Sequence, residues 1–230
     1  MADFTGRDVI ITGGTGALGS GVVASIVAAG GHAHVPVVES DELDGWTHQD
    51  HERVTVYEGL DLTDAEAVST LYQKVPSLYA SVHIAGGFAM GPIEDTALET
   101  WQHLMNMNAT TCFLCCRQAV RTMIGREGRI VNVTARPALV PTGQMAAYAA
   151  SKAAVAALTQ SLAEELASSS IWVNAVVPSI IDTPSNREAM PDADHGAWPT
   201  PAQIAKTIVF LASPDNEVTR GALVPVYGRS

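Results

Sequence analysis

An alternation kept along the whole 230-residue chain constrains its fold more than any other feature: short apolar runs rich in β-branched residues are separated by longer stretches of helical period. The runs Asp8–Thr12, Ala33–Val38, Val54–Glu58, Ser81–Ala85, Arg129–Val133, Trp172–Val177 and Ala222–Val226 predict seven strands. Several are apolar at successive positions, so both of their faces must be covered, as in a parallel sheet held between two helix layers. With 47% apolar residues the chain can fill such a core. No Gly/Ser tract, charge block or repeat marks a linker, which predicts one doubly wound α/β domain over residues 1–230. Capping boxes are predicted at Thr63 with Glu66, Thr96 with Glu99, and Thr200 with Gln203, the last with Pro201 at the first helical position. The stretch Ser179–Pro199 breaks the alternation: it holds three prolines and no clear period, and reads as a functional loop.

The first strand runs directly into Thr12-Gly13-Gly14-Thr15-Gly16-Ala17-Leu18-Gly19, and an apolar-periodic helix follows. Strand, glycine turn and helix in that order let a pyrophosphate approach the amides at a helix N-terminus, so this turn predicts a dinucleotide site and a Rossmann-type domain. The second predicted strand ends in Pro36-Val37-Val38, followed by Glu39, Asp41, Glu42 and Asp44, and no Lys or Arg stands between Arg7 and Arg53. That acidic stretch opposes a 2′-phosphate and favours NAD(H) over NADP(H), with Glu39 as the candidate ribose ligand. The alternative is a solvated acidic loop.

Tyr148 and Lys152 are four residues apart at the start of an Ala-rich helix, a spacing that places them on one face. An ammonium beside a phenol would lower its pKa and let it exchange a proton with an alcohol or carbonyl. Thirteen Lys and Arg against 24 Asp and Glu give a formal charge of −11, which argues against nucleic-acid and membrane-surface partners. The sequence shows neither a secretory signal nor an apolar run long enough to span a bilayer, and a cytoplasmic location is expected. Cys112, Cys115 and Cys116 share one helical segment and read as small buried side chains, not as a disulfide frame or a metal site.

Together these motifs resemble the short-chain dehydrogenase/reductase family over essentially the whole chain. The matching residues are Thr12–Gly19, Asp61-Leu62-Thr63, Ala85-Gly86, Asn108, Tyr148 with Lys152, and Val173–Pro178 leading to Asp182-Thr183. The resemblance implies reversible hydride transfer between a nicotinamide cofactor and a small-molecule carbonyl, alcohol or C=N substrate, without a metal. Tyr148 would be the acid/base, Lys152 its pKa modifier and ribose clamp, and Asn108 the holder of a relay water. The cofactor would meet Gly13, Thr15, Gly16, Ala17, Leu18, Gly19, Glu39, Asp61, Leu62, Ala85, Gly86, Gly87, Tyr148, Lys152, Pro178, Ile181 and Thr183. A homodimer or homotetramer is expected, built through the helices containing Asn108–Arg121 and Ser151–Leu166.

The chain departs from the family pattern in three places. Ala17 replaces a glycine, and His83-Ile84 replaces an Asn pair, both with effects expected on packing. The family's substrate-orienting Ser falls at Ala135, so a hydroxyl can be supplied there only if Thr134 takes the role by a one-residue shift. The branch that reduces quinonoid dihydropteridines also keeps the Tyr and Lys with Ala at this place. The sequence is similar to that branch in Thr134–Leu139 and in Asp182–Asp194 running on to Trp198. This leaves two further readings: a pterin-type C=N reductase, or a cofactor-binding protein without turnover. Arg136, Asn186, Arg187 and Trp198 are the substrate-contact candidates, with Met190 and His195 beside them. Trp198 could instead anchor the loop, His195 could be solvated, and Arg187 could pair with a neighbouring carboxylate.

Overall fold

A computed structural model describes residues 2–230. In chain order its elements are β1 (Asp8–Thr12), α1 (Ala17–Ala28), β2 (His32–Pro36), β3 (Val54–Tyr57), α2 (Ala65–Gln73), β4 (Leu78–His83) and α3 (Leu98–Leu104). There follow α4 (Thr111–Met123), β5 (Gly128–Val133), the short α5 (Arg136–Leu139), α6 (Ala146–Glu165), β6 (Ile171–Pro178), α7 (Pro184–Ala189), α8 (Pro201–Ala212) and β7 (Leu223–Val226). All seven strands read from the sequence form, and all pair in parallel in the order β3-β2-β1-β4-β5-β6-β7.

Alternate residues of each strand feed two cores. Val9 and Ile11 of β1 pack with Val22, Val23 and Ile26 of α1 and Ile204 and Ile208 of α8, whereas Ile10 faces the cluster built by Leu71 of α2, Leu114 and Cys115 of α4 and Val155 of α6. Period-2 alternation therefore dresses both faces, and the near-continuous apolar strands follow from it. Leaving β1, the chain goes first to β2 on one side and later to β4 on the other. Such a switch point opens a crevice at the carboxyl ends of the strands.

Helix starts were only partly legible. The Thr200–Gln203 box forms with both reciprocal bonds, at 2.9 and 3.3 Å. At α2 the cap is Asp64, which accepts from the Glu66 amide, while Thr63 turns its hydroxyl back to donate to Asp61 Oδ1. At α3 the cap position is Ala97, since Thr96 donates to the Pro92 carbonyl one turn earlier. In both cases a competing local side-chain bond removed the expected cap. The predicted loop Ser179–Pro199 carries α7 and a single 3-10 turn, His195–Ala197.

Candidate active site

The glycine turn occupies the switch point. Gly13 has φ +66°, and a Cβ there would stand 2.8 Å from the Ala85 amide nitrogen, so only glycine lets the ends of β1 and β4 approach this closely. Thr12 Oγ1 ties the two ends by accepting from the amides of Ile84 and Ala85 at 3.1 and 3.2 Å. The N-terminus of α1 has no side-chain cap and no acidic residue in its first turn, so its amides remain available to an anion. Leu18 and Leu62 are buried in opposite cores, so what they present to the cleft is backbone. Asp61 folds its carboxylate over the Thr63 amide and hydroxyl at 2.8 and 2.7 Å.

After β2, the carboxylate that reaches the glycine turn is Glu42, not Glu39. Glu42 Oε1 accepts from the Val38 and Glu39 amides at 2.8 and 3.2 Å, and Oε2 accepts from Thr15 Oγ1 at 3.1 Å. Glu39 instead starts the 3-10 turn Ser40–Leu43 from an exposed position. A tight turn after Pro36 thus brings the carboxylate three residues beyond Glu39 back to the glycine turn.

On the other side, the helix that begins with α3 widens into a π-helical turn, Met105–Thr110, before continuing as α4. Asn108 projects from that turn and is buried. Its Oδ1 accepts from the Gly87 amide at 2.9 Å, and its Nδ2 donates to the Gly87 carbonyl and to Ser151 Oγ, both at 3.0 Å. The amide thus closes a two-way clamp on the loop after β4 and links it to α6. A π turn of this kind is often found where a helix serves a site.

Lys152 is buried, and its Nζ donates to the Val133 carbonyl at the end of β5, at 3.0 Å. A Cβ on Gly86 would lie 2.5 Å from Asn108 Oδ1 and 3.1 Å from Lys152 Nζ, so ammonium and amide converge over one bare stretch of backbone. Burial lowers Lys152 to about 8, opposed by the nearby Cys112. Tyr148, one turn before Lys152, is half-buried with its ring edge-on to the exposed Phe88 at 4.9 Å. Burial pushes its phenol up to about 12. The expected lowering of that phenol by Lys152 is not what this structure shows, because the ammonium is turned to Val133.

This arrangement has counterparts among known proteins. The family described as short chain dehydrogenase matches residues 7–194. The chain belongs to the short-chain dehydrogenase/reductase family. It is 32% identical over 239 residues to a 3-alpha-(or 20-beta)-hydroxysteroid dehydrogenase of Mycobacterium tuberculosis, covering 97% of this chain and 88% of that one. It is 30% identical over 244 residues to the 2-dehydro-3-deoxy-D-gluconate 5-dehydrogenase of Bacillus subtilis, covering 97% and 94%. Among solved structures, a short-chain type dehydrogenase/reductase from Mycobacterium ulcerans superposes with a TM-score of 0.91 at 25% identity, covering 99% and 90%. A substituted form of ElxO with NADPH bound superposes at 0.90 and 25%, covering 99% and 98%. Homologues of the family are dehydrogenases and oxidoreductases, and this chain is an oxidoreductase of that family.

In this short-chain dehydrogenase/reductase the substrate-side candidates are held by partners within the chain. Thr134 is buried and its hydroxyl donates to the Lys152 carbonyl at 2.7 Å, so it braces α6. Ala135 stands at the cap position of α5. Trp198 is 7% exposed and packs on His195 at 4.7 Å, which makes it the loop's anchor. The His195 ring nitrogen Nε2 meets the Met190 carbonyl at 2.7 Å, fixing the same loop. Arg187 is paired with Asp182, its Nη2 at 2.8 Å from Oδ2, and that guanidinium holds Asp182 below the usual carboxylate range. Asn186 Nδ2 donates to the Ile181 carbonyl, and Thr183 caps α7 by accepting from the Asn186 amide. Arg136 is exposed, with its guanidinium 5.3 Å from the Tyr227 ring centre. Pro178 ends β6 opposite Val226, just before this loop. Phe88 and Glu42 were missed in the sequence. Phe88 carried no periodic or motif signal, and Glu42 was one of four carboxylates with nothing local to single it out.

Proposed function

We propose that this oxidoreductase transfers hydride reversibly between NAD(H) and a small-molecule carbonyl, alcohol or C=N compound. The observation that carries the proposal is the convergence of Lys152 Nζ, the Asn108 clamp and bare Gly86 beside Tyr148, next to an uncapped helix N-terminus at the switch point. When bound, a nicotinamide cofactor would supply or accept the hydride. Gly13, Thr15, Gly16 and the first amides of α1 would hold its pyrophosphate, and Gly86, Gly87 and Lys152 its nicotinamide ribose. Tyr148 is the acid/base: its phenol holds a proton through the neutral range and can donate it to a nascent alkoxide or amide nitrogen. Lys152 orients that end of the cleft from a fixed position on Val133. With both N–H groups committed, Asn108 acts chiefly by holding Gly87 and α6 in register, and only its Oδ1 retains acceptor capacity for a relay water.

Glu42, tied to Thr15 at the glycine turn, supports NAD(H) over NADP(H), because a second phosphate near this turn would meet a carboxylate. A specific observation favours the narrower C=N reading. With Thr134 turned to Lys152 and Ala135 in the family's Ser position, no hydroxyl is supplied there, which suits a conjugated substrate needing less help than a simple ketone. NADH oxidation over a panel of ketones, cyclic imines and quinonoid pterins tests these readings. Tyr148→Phe should lower turnover by about a hundredfold or more while leaving NADH affinity within about twofold. Tight NADH binding with no turnover on any substrate, unchanged by Tyr148→Phe, would establish a binding protein in place of an enzyme.

A further inference from the structure

Behind the cofactor-side loop, between the carboxyl ends of β4 and β5 and the inner face of α4, lies a buried group of ligating atoms that the proposed reaction does not use. His83 ends β4, Asn132 lies on β5, and Cys112 and Cys116 stand one turn apart on α4, all four buried. The ligating atoms of His83, Cys112 and Cys116 lie within 4.8 Å of one another. Cys112 Sγ is 4.0 Å from Cys116 Sγ, and Cys116 Sγ is 3.5 Å from His83 Nδ1. Zinc–sulfur bonds near 2.3 Å and zinc–nitrogen bonds near 2.0 Å at tetrahedral angles would place two sulfurs about 3.8 Å apart and a sulfur and nitrogen about 3.6 Å apart. These two edges match those spacings to within a few tenths of an ångström, and the hydrogen bond of 2.8 Å between His83 Nδ1 and Asn132 Oδ1 must open by about 0.5 Å to admit an ion.

Thr159 Oγ1 donates to the Val155 carbonyl and so must accept from Asn132 Nδ2, which aims Asn132 Oδ1 at the cluster, 2.8 Å from His83 Nδ1 and 3.5 Å from Cys116 Sγ. An amide oxygen only accepts, so at 2.8 Å His83 Nδ1 carries the ring proton and donates it to Asn132 Oδ1, and Cys116 Sγ donates to the same oxygen. On the far side of the ring, His83 Nε2 meets Ser81 Oγ at 2.8 Å and Tyr72 OH at 3.3 Å. Hydroxyls both give and accept, so when an ion displaces the proton from Nδ1 it can move to Nε2, where the two hydroxyls supply the outer hydrogen bond that orients a ligating histidine. Cys115, in the same helical turn, is not part of the group.

We propose that His83, Cys112 and Cys116, with Asn132 as fourth donor, form a closed site for a thiophilic divalent cation of the zinc type. Binding breaks two S–H bonds and releases two protons to solvent. The dication and two thiolates are together neutral, and no electron moves. Because the site ties β4 and α4 together beneath Gly86 and the Asn108 turn, the bound ion braces the floor of the cofactor cleft from below. Its burial means that the ion loads as the chain folds.

The test is expression of the full chain in minimal medium supplied with cobalt or with zinc, followed by metal analysis and absorption spectroscopy. The expected result is roughly one metal per chain, with thiolate-to-cobalt charge-transfer absorption and the intense visible bands of a tetrahedral ion. Cys112→Ser, Cys116→Ser and His83→Gln should each weaken or abolish these bands, and Cys115→Ser should retain them. Absence of the bands in the wild-type chain overturns the proposal whatever the variants do. Bands that survive Cys112→Ser, or vanish with Cys115→Ser, overturn it equally. Should a variant fail to fold, the wild-type spectrum and the Cys115→Ser control still decide.

Discussion

Replacing Asn108 by Ala separates a clamp from a chemical relay. The side chain is 1% exposed and makes three hydrogen bonds, two to the Gly87 peptide and one to Ser151 Oγ. Gly87 is half-buried, so water entering the vacated space can recover part of what its N–H and C=O lose. Ser151 keeps its own bond to the Tyr148 carbonyl at 2.8 Å. At about 1 kcal/mol per bond, with a small cavity added, the loss is about 3 kcal/mol. For a domain of this length that lowers the midpoint of thermal unfolding by roughly 6–12 °C. The same change frees the Gly87–Phe88 segment, and Phe88 packs on Tyr148, so kcat/KM should fall by about tenfold or more. Circular dichroism melting and steady-state kinetics on one preparation give both numbers. A midpoint within about 2 °C of wild type, with activity nonetheless lost, would refute the clamp and leave Asn108 a purely chemical role.

At the neighbouring hydroxyl, Thr134→Val removes one bond to the Lys152 carbonyl and should cost about 1 kcal/mol of stability while leaving kcat within about twofold; a large loss of kcat at unchanged stability would return Thr134 to the substrate. Ala135→Ser should raise turnover of simple ketones relative to C=N substrates in the same assay, and an unchanged ratio would count against the narrower reading. Glu42→Gln keeps the contact to Thr15 but removes the charge, so dissociation constants measured side by side should shift toward NADPH by about 5- to 30-fold, and an unmoved ratio would rule Glu42 out as the selector. At the opposite end of the sheet, burial lowers the pKa of His34 despite its bond to Asp8, while Asp8 is lowered because the bonds from His34 and Ser77 outweigh the burial that would raise it. Both groups hold fewer protons folded than unfolded, so stability falls as pH drops below about 6.5, first through His34 and then through Asp8. The melting midpoint of His34→Gln should therefore decline less between about pH 7 and pH 5 than that of the wild type; parallel declines would exclude His34.

The sequence by itself determined the strand number, the layering and the meeting of glycine turn, Tyr148 and Lys152 in one cleft. Those signals are local: a periodicity of 2 or 3.6, a glycine where φ must be positive, and a four-residue spacing on a helix. Tertiary structure decided which carboxylate returns to the turn, because Glu39 and Glu42 differ only in how the chain bends after Pro36. It turned the Thr134 hydroxyl to the Lys152 carbonyl, because a hydroxyl's partner 18 residues along the chain leaves no trace in spacing. The same holds for Asp64 and Ala97 at the helix starts, where side-chain bonds upstream claimed the expected caps. It also gave the three cysteines their different surroundings. Cys112 and Cys116 meet His83 and Asn132 through strands β4 and β5, whose residues lie 16 or more positions from either cysteine along the chain, and only the parallel pairing of those strands brings the four groups together.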